Sequence, residues 1–452
     1  MRDDSRARTV LLSGLLLAVT LHAFHAMAIV VIVPALADDL DGRALYGAVF
    51  SAYLLASLVG LMAAGGRVDR RGPRRPLAEG LAVFALGLTA SALAPTMPSL
   101  IAARVVEGLG GGALSAVLMA TVNREYGASE RPRILAMMSA AWVLPGLVAP
   151  PIAAWITETY GWRWVFLGVL PLVGLAGALA LPGLASAAPA AGLRSTARVG
   201  LAARLVVGFG LLLLALERLP SMSAVAALVV GALVGARALA QIVPVGSRRP
   251  AVTTRFLLVF VFFGADTFLP LALTDTRAAS LLLAGALMTT GAVSWSFGAF
   301  VQARWAVVLA PARVAAMGLA IVAAGIVAEI VSLDPWVPVW VAFVGWAAAG
   351  IGMGLVYNVT GVVAMAATPS GREGETSTAL GVADALGFAL AAGAGGAVLA
   401  WGARMDWTTA SALSIVWSAM VVVCVGAWFA GRGMPGARAG APLRASVVSS
   451  IS

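Results

Sequence analysis

Six side chains in this sequence stand inside long apolar runs and are able to take up or release protons or to hold the groups that do. Asp266 lies in Phe262-Phe263-Gly264-Ala265-Asp266-Thr267-Phe268, with no basic residue within a helical turn or two. Burial without a counter-charge favours the neutral form of a carboxyl, which suits a group that must bind and lose protons; a structural hydrogen bond to a neighbouring helix is the alternative. Arg104 and Glu107 are three residues apart, so on a helix they share a face and pair, either as a structural ion pair or as a proton relay. His22 and His25 have the same spacing, and imidazole titrates near neutrality, although a lone buried histidine is often simply hydrogen-bonded. Asp384, with Thr376, Ser377 and Thr378 upstream, fits a functional or a packing role equally well. Glu217 and Glu329 fall at the ends of apolar runs, where solvation is expected.

Other chemistries find little support. The chain has no Gly-Lys-Ser/Thr phosphate loop, which removes ATP-driven pumping by this chain alone, and no Cys/His cluster for a metal, so no cofactor is expected. The single cysteine, Cys424 in Val421-Val422-Val423-Cys424, leaves no disulfide framework and reads as a core or lipid-facing filler. His22 and His25 have no acidic partner at fixed spacing that would support a membrane-embedded transferase.

The elements that must position these groups are membrane helices. Of 452 residues, 61% are hydrophobic and 11% charged, and the mean hydropathy is +0.97, far too apolar for a water-soluble surface. A net charge of +10 would suggest nucleic acid in a soluble chain, but here the basic residues lie mostly in breaks between apolar runs and report topology. All 30 basic residues are arginine, which reads as codon bias. A span needs about 20 apolar residues, and about fourteen segments qualify: 9–35, 45–66, 76–95, 98–122, 133–156, 163–183, 200–217, 222–242, 255–274, 279–302, 312–331, 335–366, 376–401 and 407–430. The first could be mistaken for a secretory signal ending at Ala35-Leu36-Ala37, but it is too long and similar runs follow. An ionised side chain inside a span costs roughly 2.5–3.5 kcal/mol on insertion scales, so each needs a partner or a water-filled cavity.

With the N-terminus inside, the outer side holds only Arg43, Arg163, Arg218, Arg277 and Arg404, and Arg104 lies within a helix. Every other arginine falls in cytoplasmic loops, tails or adjoining helix ends, which places both termini in the cytoplasm. No gap is long enough for a soluble domain; the longest, around 184–199, is an Ala-rich linker containing Pro189 and Gly192.

Motifs sharpen this reading. The stretch from Gly65 to Arg75 packs five arginines around Asp69 between two apolar runs. Gly65, Asp69, Arg70, Gly72, Arg74 and Arg75 match the first signature loop of the major facilitator superfamily, with Pro73 pushing the basic pair one place along; an ordinary basic loop obeying the positive-inside rule is the alternative. Arg104-Val105-Val106-Glu107-Gly108-Leu109-Gly110-Gly111-Gly112 resembles the fourth-helix motif of its proton-coupled drug exporters, with Glu107 replacing the usual Gln. Gly146 and Pro150 keep their places in the antiporter signature of the fifth helix, while Ala149, Ala153 and Ala154 stand where glycines are expected. Trp162-Arg163-Trp164-Val165-Phe166 is similar to the outer turn of the fourteen-helix drug/proton antiporter branch, and Gly350-Ile351-Gly352-Met353-Gly354 and Ala383-Asp384-Ala385-Leu386-Gly387 to the second half of its actinobacterial members. That branch commonly has an acid nine residues before the proline ending helix 1, where this chain has His25.

The resemblance implies an all-α, polytopic major facilitator fold: six-helix bundles over 1–184 and 251–431, a linker with two extra helices over 185–250, and a cytoplasmic tail over 432–452. A weak internal repeat agrees, since Gly298-Ala299-Phe300-Val301-Gln302 ends the tenth segment much as Gly65-Gly66-Arg67-Val68-Asp69 ends the second. The implied activity is proton-coupled export of an amphipathic drug or toxic compound by a monomer working by alternating access, with export of a lipid or endogenous metabolite second and uptake third. Asp266, Glu107, Arg104, Asp384, His25 and His22 are the coupling candidates, Asp69 and its loop the inner gate, and the partners are a small molecule, protons and the bilayer.

Overall fold

The computed structural model describes residues 2–126, 130–184, 195–217, 221–243, 246–306, 308–370 and 372–434, and those residues form helices joined by short turns. The helices are α1 (Arg2–Asp39), α2 (Tyr46–Arg71), α3 (Arg74–Ala92), α4 (Met97–Glu125), α5 (Arg131–Tyr160), α6 (Arg163–Leu167), α7 (Leu170–Ala180) and α8 (Ser195–Glu217). They continue as α9 (Met222–Leu239), α10 (Arg249–Arg277), α11 (Leu281–Trp305), α12 (Pro311–Ser332), α13 (Trp340–Ala366), α14 (Glu373–Arg404) and α15 (Thr409–Arg432). Among the described residues, 11 stretches are long and apolar enough to cross a membrane. Outside that set are α3 and α5, and α8, whose apolar stretch Gly200–Leu216 is shorter.

Local chemistry sets the helix ends that matter for the site. Gly72 adopts a φ of 71° at the end of α2, a left-handed conformation that a side chain would strain, and so turns the chain directly into α3. Thr96 caps α4: its hydroxyl accepts from the Ser99 backbone N–H at 3.4 Å while Ser99 Oγ accepts from the Thr96 N–H at 3.1 Å. Such a cap contributes about 1 kcal/mol and fixes the start of the helix that carries Arg104 and Glu107.

The helices gather into two compact units. The first comprises Met1–Leu239, Thr267–Thr289 and Ala392–Ala412; in it α4 packs on α2 and α3, α1 on α5 and α7, and α8 on α2 and α9. Asp275, in the last turns of α10, accepts from Arg43 Nη1 at 2.6 Å and from Thr409 Oγ1 at 2.9 Å, tying the start of α2 to α10 and α15. The second comprises Ala240–Asp266, Thr290–Ala391 and Leu413–Ser452, with α12 packed along α13.

The sixth segment is one membrane-length apolar stretch, Arg163–Ala180, in which the turn at Gly168 and Val169 separates α6 from α7. One sequence expectation needs correction. Glu329 is 1% exposed, not solvated: α13 presents Gly345 beside it, where a Cβ would stand 3.1 Å from Glu329 Oε1, so the carboxylate lies in the α12–α13 seam. Arg255, in the second turn of α10, is 7% exposed. Cys424 is buried, its thiol donating to Leu319 O at 3.2 Å, which makes it a core residue. The side chain of Glu217 and the segments 185–194 and 435–452 lie outside the described residues.

Candidate functional site

Two helices, α1 and α4, bring His25, Arg104 and Glu107 to one point in the first unit. Arg104 Nη1 donates to Glu107 Oε1 at 2.7 Å across one helical turn. The imidazole of His25, on α1, meets the same carboxylate oxygen through Nε2 and lies 3.1 Å from Arg104 Nη1. Arg104 Nε donates to Val49 O of α2 at 3.3 Å, and Ser91 Oγ of α3 donates to Glu107 Oε2 at 3.4 Å. All three members are nearly inaccessible: His25 is 1%, Arg104 3% and Glu107 0% exposed. The close approach of α3 is possible because Gly87 faces Glu107 without a Cβ.

The electrostatics of this cluster follow from its members. Arg104 and Glu107 cancel, so with a neutral imidazole the cluster carries no net charge, the condition under which ionised groups are tolerated out of water. Among the described residues His25 Nδ1 has no hydrogen-bond partner, and the ring lies against Phe84 and Phe166 at centroid distances of 5.9 and 5.5 Å. A proton on the Nε2–Oε1 contact has two acceptors within reach, the imidazole and the carboxylate, so the cluster can hold it at either atom. The guanidinium of Arg104 covers the Tyr53 ring at 4.4 Å, and Tyr53 Oη meets His22 Nδ1 at 3.3 Å. Both histidines therefore touch the surroundings of one arginine.

Asp384 is tied down elsewhere. In the second unit its Oδ1 accepts from Arg255 Nε at 2.7 Å and its Oδ2 from Arg255 Nη2 at 2.9 Å and Tyr357 Oη at 3.1 Å. Arg255 Nη1 donates to Tyr357 O at 2.8 Å. Sequence reasoning missed Arg255 because it stands close to a helix start, among the arginines that the positive-inside rule already accounts for. The signal available was that Arg255 and Asp384 are single opposite charges in two apolar runs, each needing a partner. Asp266, also in the second unit, is half-buried and makes no hydrogen bond or ion pair among the described residues.

The motif residues fall around these groups. Gly65 lies within α2 and Arg74 and Arg75 are exposed at the start of α3, while Arg67 pairs with Glu79; the side chains of Asp69 and Arg70 lie outside the described residues. Gly146 and Pro150 are buried in α5, together with Ala149, Ala153 and Ala154 at 0% exposure, and Gly285 of α11 comes against Pro150. Trp162 Nε1 and Arg163 Nη1 both donate to Asp39 Oδ2, at 3.0 and 2.8 Å, fastening the turn before α6 to the end of α1.

Comparison with known proteins agrees with this architecture. A stretch of 140 residues, 31% of this chain, is 36% identical to the multidrug resistance protein B homolog of Mycobacterium tuberculosis and covers 26% of that protein. Another of 165 residues, 36% of this chain, is 28% identical to the multidrug transporter protein MdtP of Bacillus subtilis and covers 30% of it. The chain thus spans less than a third of the length of either relative. The fold is that of a D-xylose-proton symporter, with a TM-score of 0.68 at 14% identity over 95% of this chain and 98% of the other. A bacterial homolog of the human lysosomal transporter Spinster superposes with a TM-score of 0.67 at 16% identity over 95% of this chain and 98% of its own. A family model described as Major Facilitator Superfamily matches residues 15–328, well over half of the sequence and all of the helices that build the His25 cluster, and on that match the chain belongs to the Major Facilitator Superfamily.

Proposed function

We propose that this protein is a proton-coupled exporter of amphipathic toxic compounds, working as a monomer by alternating access. The observation that carries the reading is the His25–Glu107–Arg104 cluster: a buried group with two proton acceptors in contact, on helices that a purely structural ion pair would not require to converge. The names of the Mycobacterium tuberculosis and Bacillus subtilis relatives favour multidrug export over other cargo. Asp266 is the second proton-binding group, in the opposite setting: a carboxyl without a counter-charge among the described residues. Purified protein in liposomes, given a pH gradient and an amphipathic dye, is expected to accumulate the dye against its concentration gradient and to lose that accumulation when the proton gradient is dissipated. Dye movement indifferent to the pH gradient would overturn the reading.

The membrane organisation belongs to the same proposal. With α6 and α7 read as one span, the proposal is fourteen membrane helices, arranged as six-helix halves over 1–184 and 251–431 with an added pair between them and both termini in the cytoplasm. The added pair is even in number, so the second half keeps the orientation of the first. Reporter fusions after Leu219 are expected to read outside and fusions after Arg248 inside; the opposite result at either site would exclude this count.

A further inference from the structure

The added helices α8 and α9 have had no task so far, yet α8 reaches a seam between two helices from opposite ends of the chain. α8 and α9 pack closely because Gly208 of one meets Gly231 and Gly235 of the other, which makes the pair a stiff hairpin. That hairpin is fixed to the bundle by the packing of α8 along α2. At the end where α2 starts, α2 and α14 meet backbone to backbone: a Cβ on Gly396 would stand 2.7 Å from Gly47 Cα, and Gly47 in turn faces the Ala392 carbonyl without a Cβ. Leu213 of α8, 7% exposed, enters the same seam. A Cβ on Gly393 would stand 2.6 Å from Leu213 Cδ2 and 2.8 Å from Ser51 Oγ, so α8, α2 and α14 converge on one point. Ser51 is 4% exposed and its hydroxyl donates to Gly47 O at 3.1 Å. All of these residues belong to the first unit.

What holds this seam together follows from its surfaces. Two glycine faces present no side chain to interlock, so they are held by dispersion alone, and lipid tails solvate apolar surface as well as protein does. The ion pair between Arg43 and Asp275 stands at the same end, but Arg43 is 55% exposed and solvent weakens the pair. Leu213 is a branched side chain seated in the hollow that Gly393 leaves, and its removal would cost the closed seam those contacts with nothing regained from water. We propose that the added hairpin is a brace: fixed along α2, it seats Leu213 against Gly393 of α14 and holds the α2–α14 seam closed. The seam is therefore closed for a larger share of the time than α2 and α14 would achieve without α8. Opening requires Leu213 to leave Gly393 while α8 stays on α2. That this opening is a step of transport rests on the alternating-access reading above; the brace itself does not.

Spin labels on Ala44→Cys, exposed just before α2, and Met405→Cys, exposed just after α14, report the separation of the two helix ends by pulsed electron resonance on the full chain in lipid nanodiscs, in a Cys424→Ala background. The labelled parent is expected to show a dominant short distance. Leu213→Ala is expected to raise the ratio of long to short distances about tenfold, the equivalent of ~1.4 kcal/mol. Gly393→Ala, whose methyl group displaces Leu213, is expected to shift the ratio the same way. In Leu213→Ala/Gly393→Ala the new methyl occupies the vacated space, and the ratio is expected to return to within about threefold of the parent; that recovery also reports an intact fold. Leu214→Ala, at a neighbouring position that is 53% exposed, is expected to change nothing. Distances unaltered by Leu213→Ala and Gly393→Ala would overturn the inference and leave closure to the Arg43–Asp275 pair. An equal shift from Leu214→Ala, or no recovery in the double variant, would overturn it as well. A protein that shows the expected distance shifts yet moves no dye on a pH gradient would refute the export reading and leave the brace standing.

Discussion

Glu107→Gln is expected to abolish uphill transport and to destabilise the protein at the same time. The substitution keeps the size of the side chain but removes the charge that cancels Arg104, which is 3% exposed and has no other carboxylate in contact among the described residues. Breaking a buried pair on one side costs about 3–5 kcal/mol, so a clear drop in thermal unfolding temperature accompanies the loss of coupling. The contact between His25 Nε2 and the carboxylate disappears too, leaving the imidazole without its proton-sharing partner. Loss of a positioned proton-transfer group lowers rates by about 10²–10⁴-fold, so the initial rate of gradient-driven dye uptake into liposomes should fall by a factor in that range and no accumulation against the dye gradient should build up. The double variant Arg104→Met/Glu107→Gln separates the two effects, because it leaves no stranded charge. It is expected to regain most of the lost thermal stability while remaining uncoupled. Recovery of gradient-driven transport in the double variant would mean that the cluster is structural only.

Asp266→Asn makes the opposite prediction for stability and the same one for coupling. Asp266 makes no hydrogen bond or ion pair among the described residues, so asparagine removes a carboxyl that has no partner to lose. The unfolding temperature is therefore expected to be unchanged or higher, within the ~0.5 kcal/mol typical of a site without lost contacts, or above it. Asparagine retains size and hydrogen-bonding capacity but cannot take up the proton. A pH difference of one unit sustains roughly a tenfold substrate gradient for each proton exchanged; with Asp266→Asn the ratio should fall to about one while exchange of labelled for unlabelled substrate continues. Full accumulation by the purified variant would remove Asp266 from the coupling chemistry and leave it to the His25 cluster.

These two sites differ in how legible they were. The Arg104–Glu107 contact could be read from i,i+3 spacing, because a helix places such residues on one face whatever surrounds it. The histidine in the cluster could not: His25 lies on a different helix, and its approach to Glu107 depends on how α1 and α4 are rotated about their own axes. Asp266 could be picked out because a lone charge in an apolar run is conspicuous in itself. Asp384 looked similar in the sequence and turned out to be paired, since its partner Arg255 is 129 residues away.

By itself the sequence determined that the chain is built of membrane helices, where most of them run, and which family its motifs belong to. Hydropathy and motif spacing are local properties, and transferring about 20 apolar residues from water to lipid outweighs any single tertiary contact. The tertiary structure alone decided which charges meet: His25 with Glu107, Arg255 with Asp384, and Glu329 against the glycine of the neighbouring helix. Every helix of this composition is stable in the bilayer in any rotation about its axis, so side-chain packing between helices selects one arrangement and with it the partners of each buried charge.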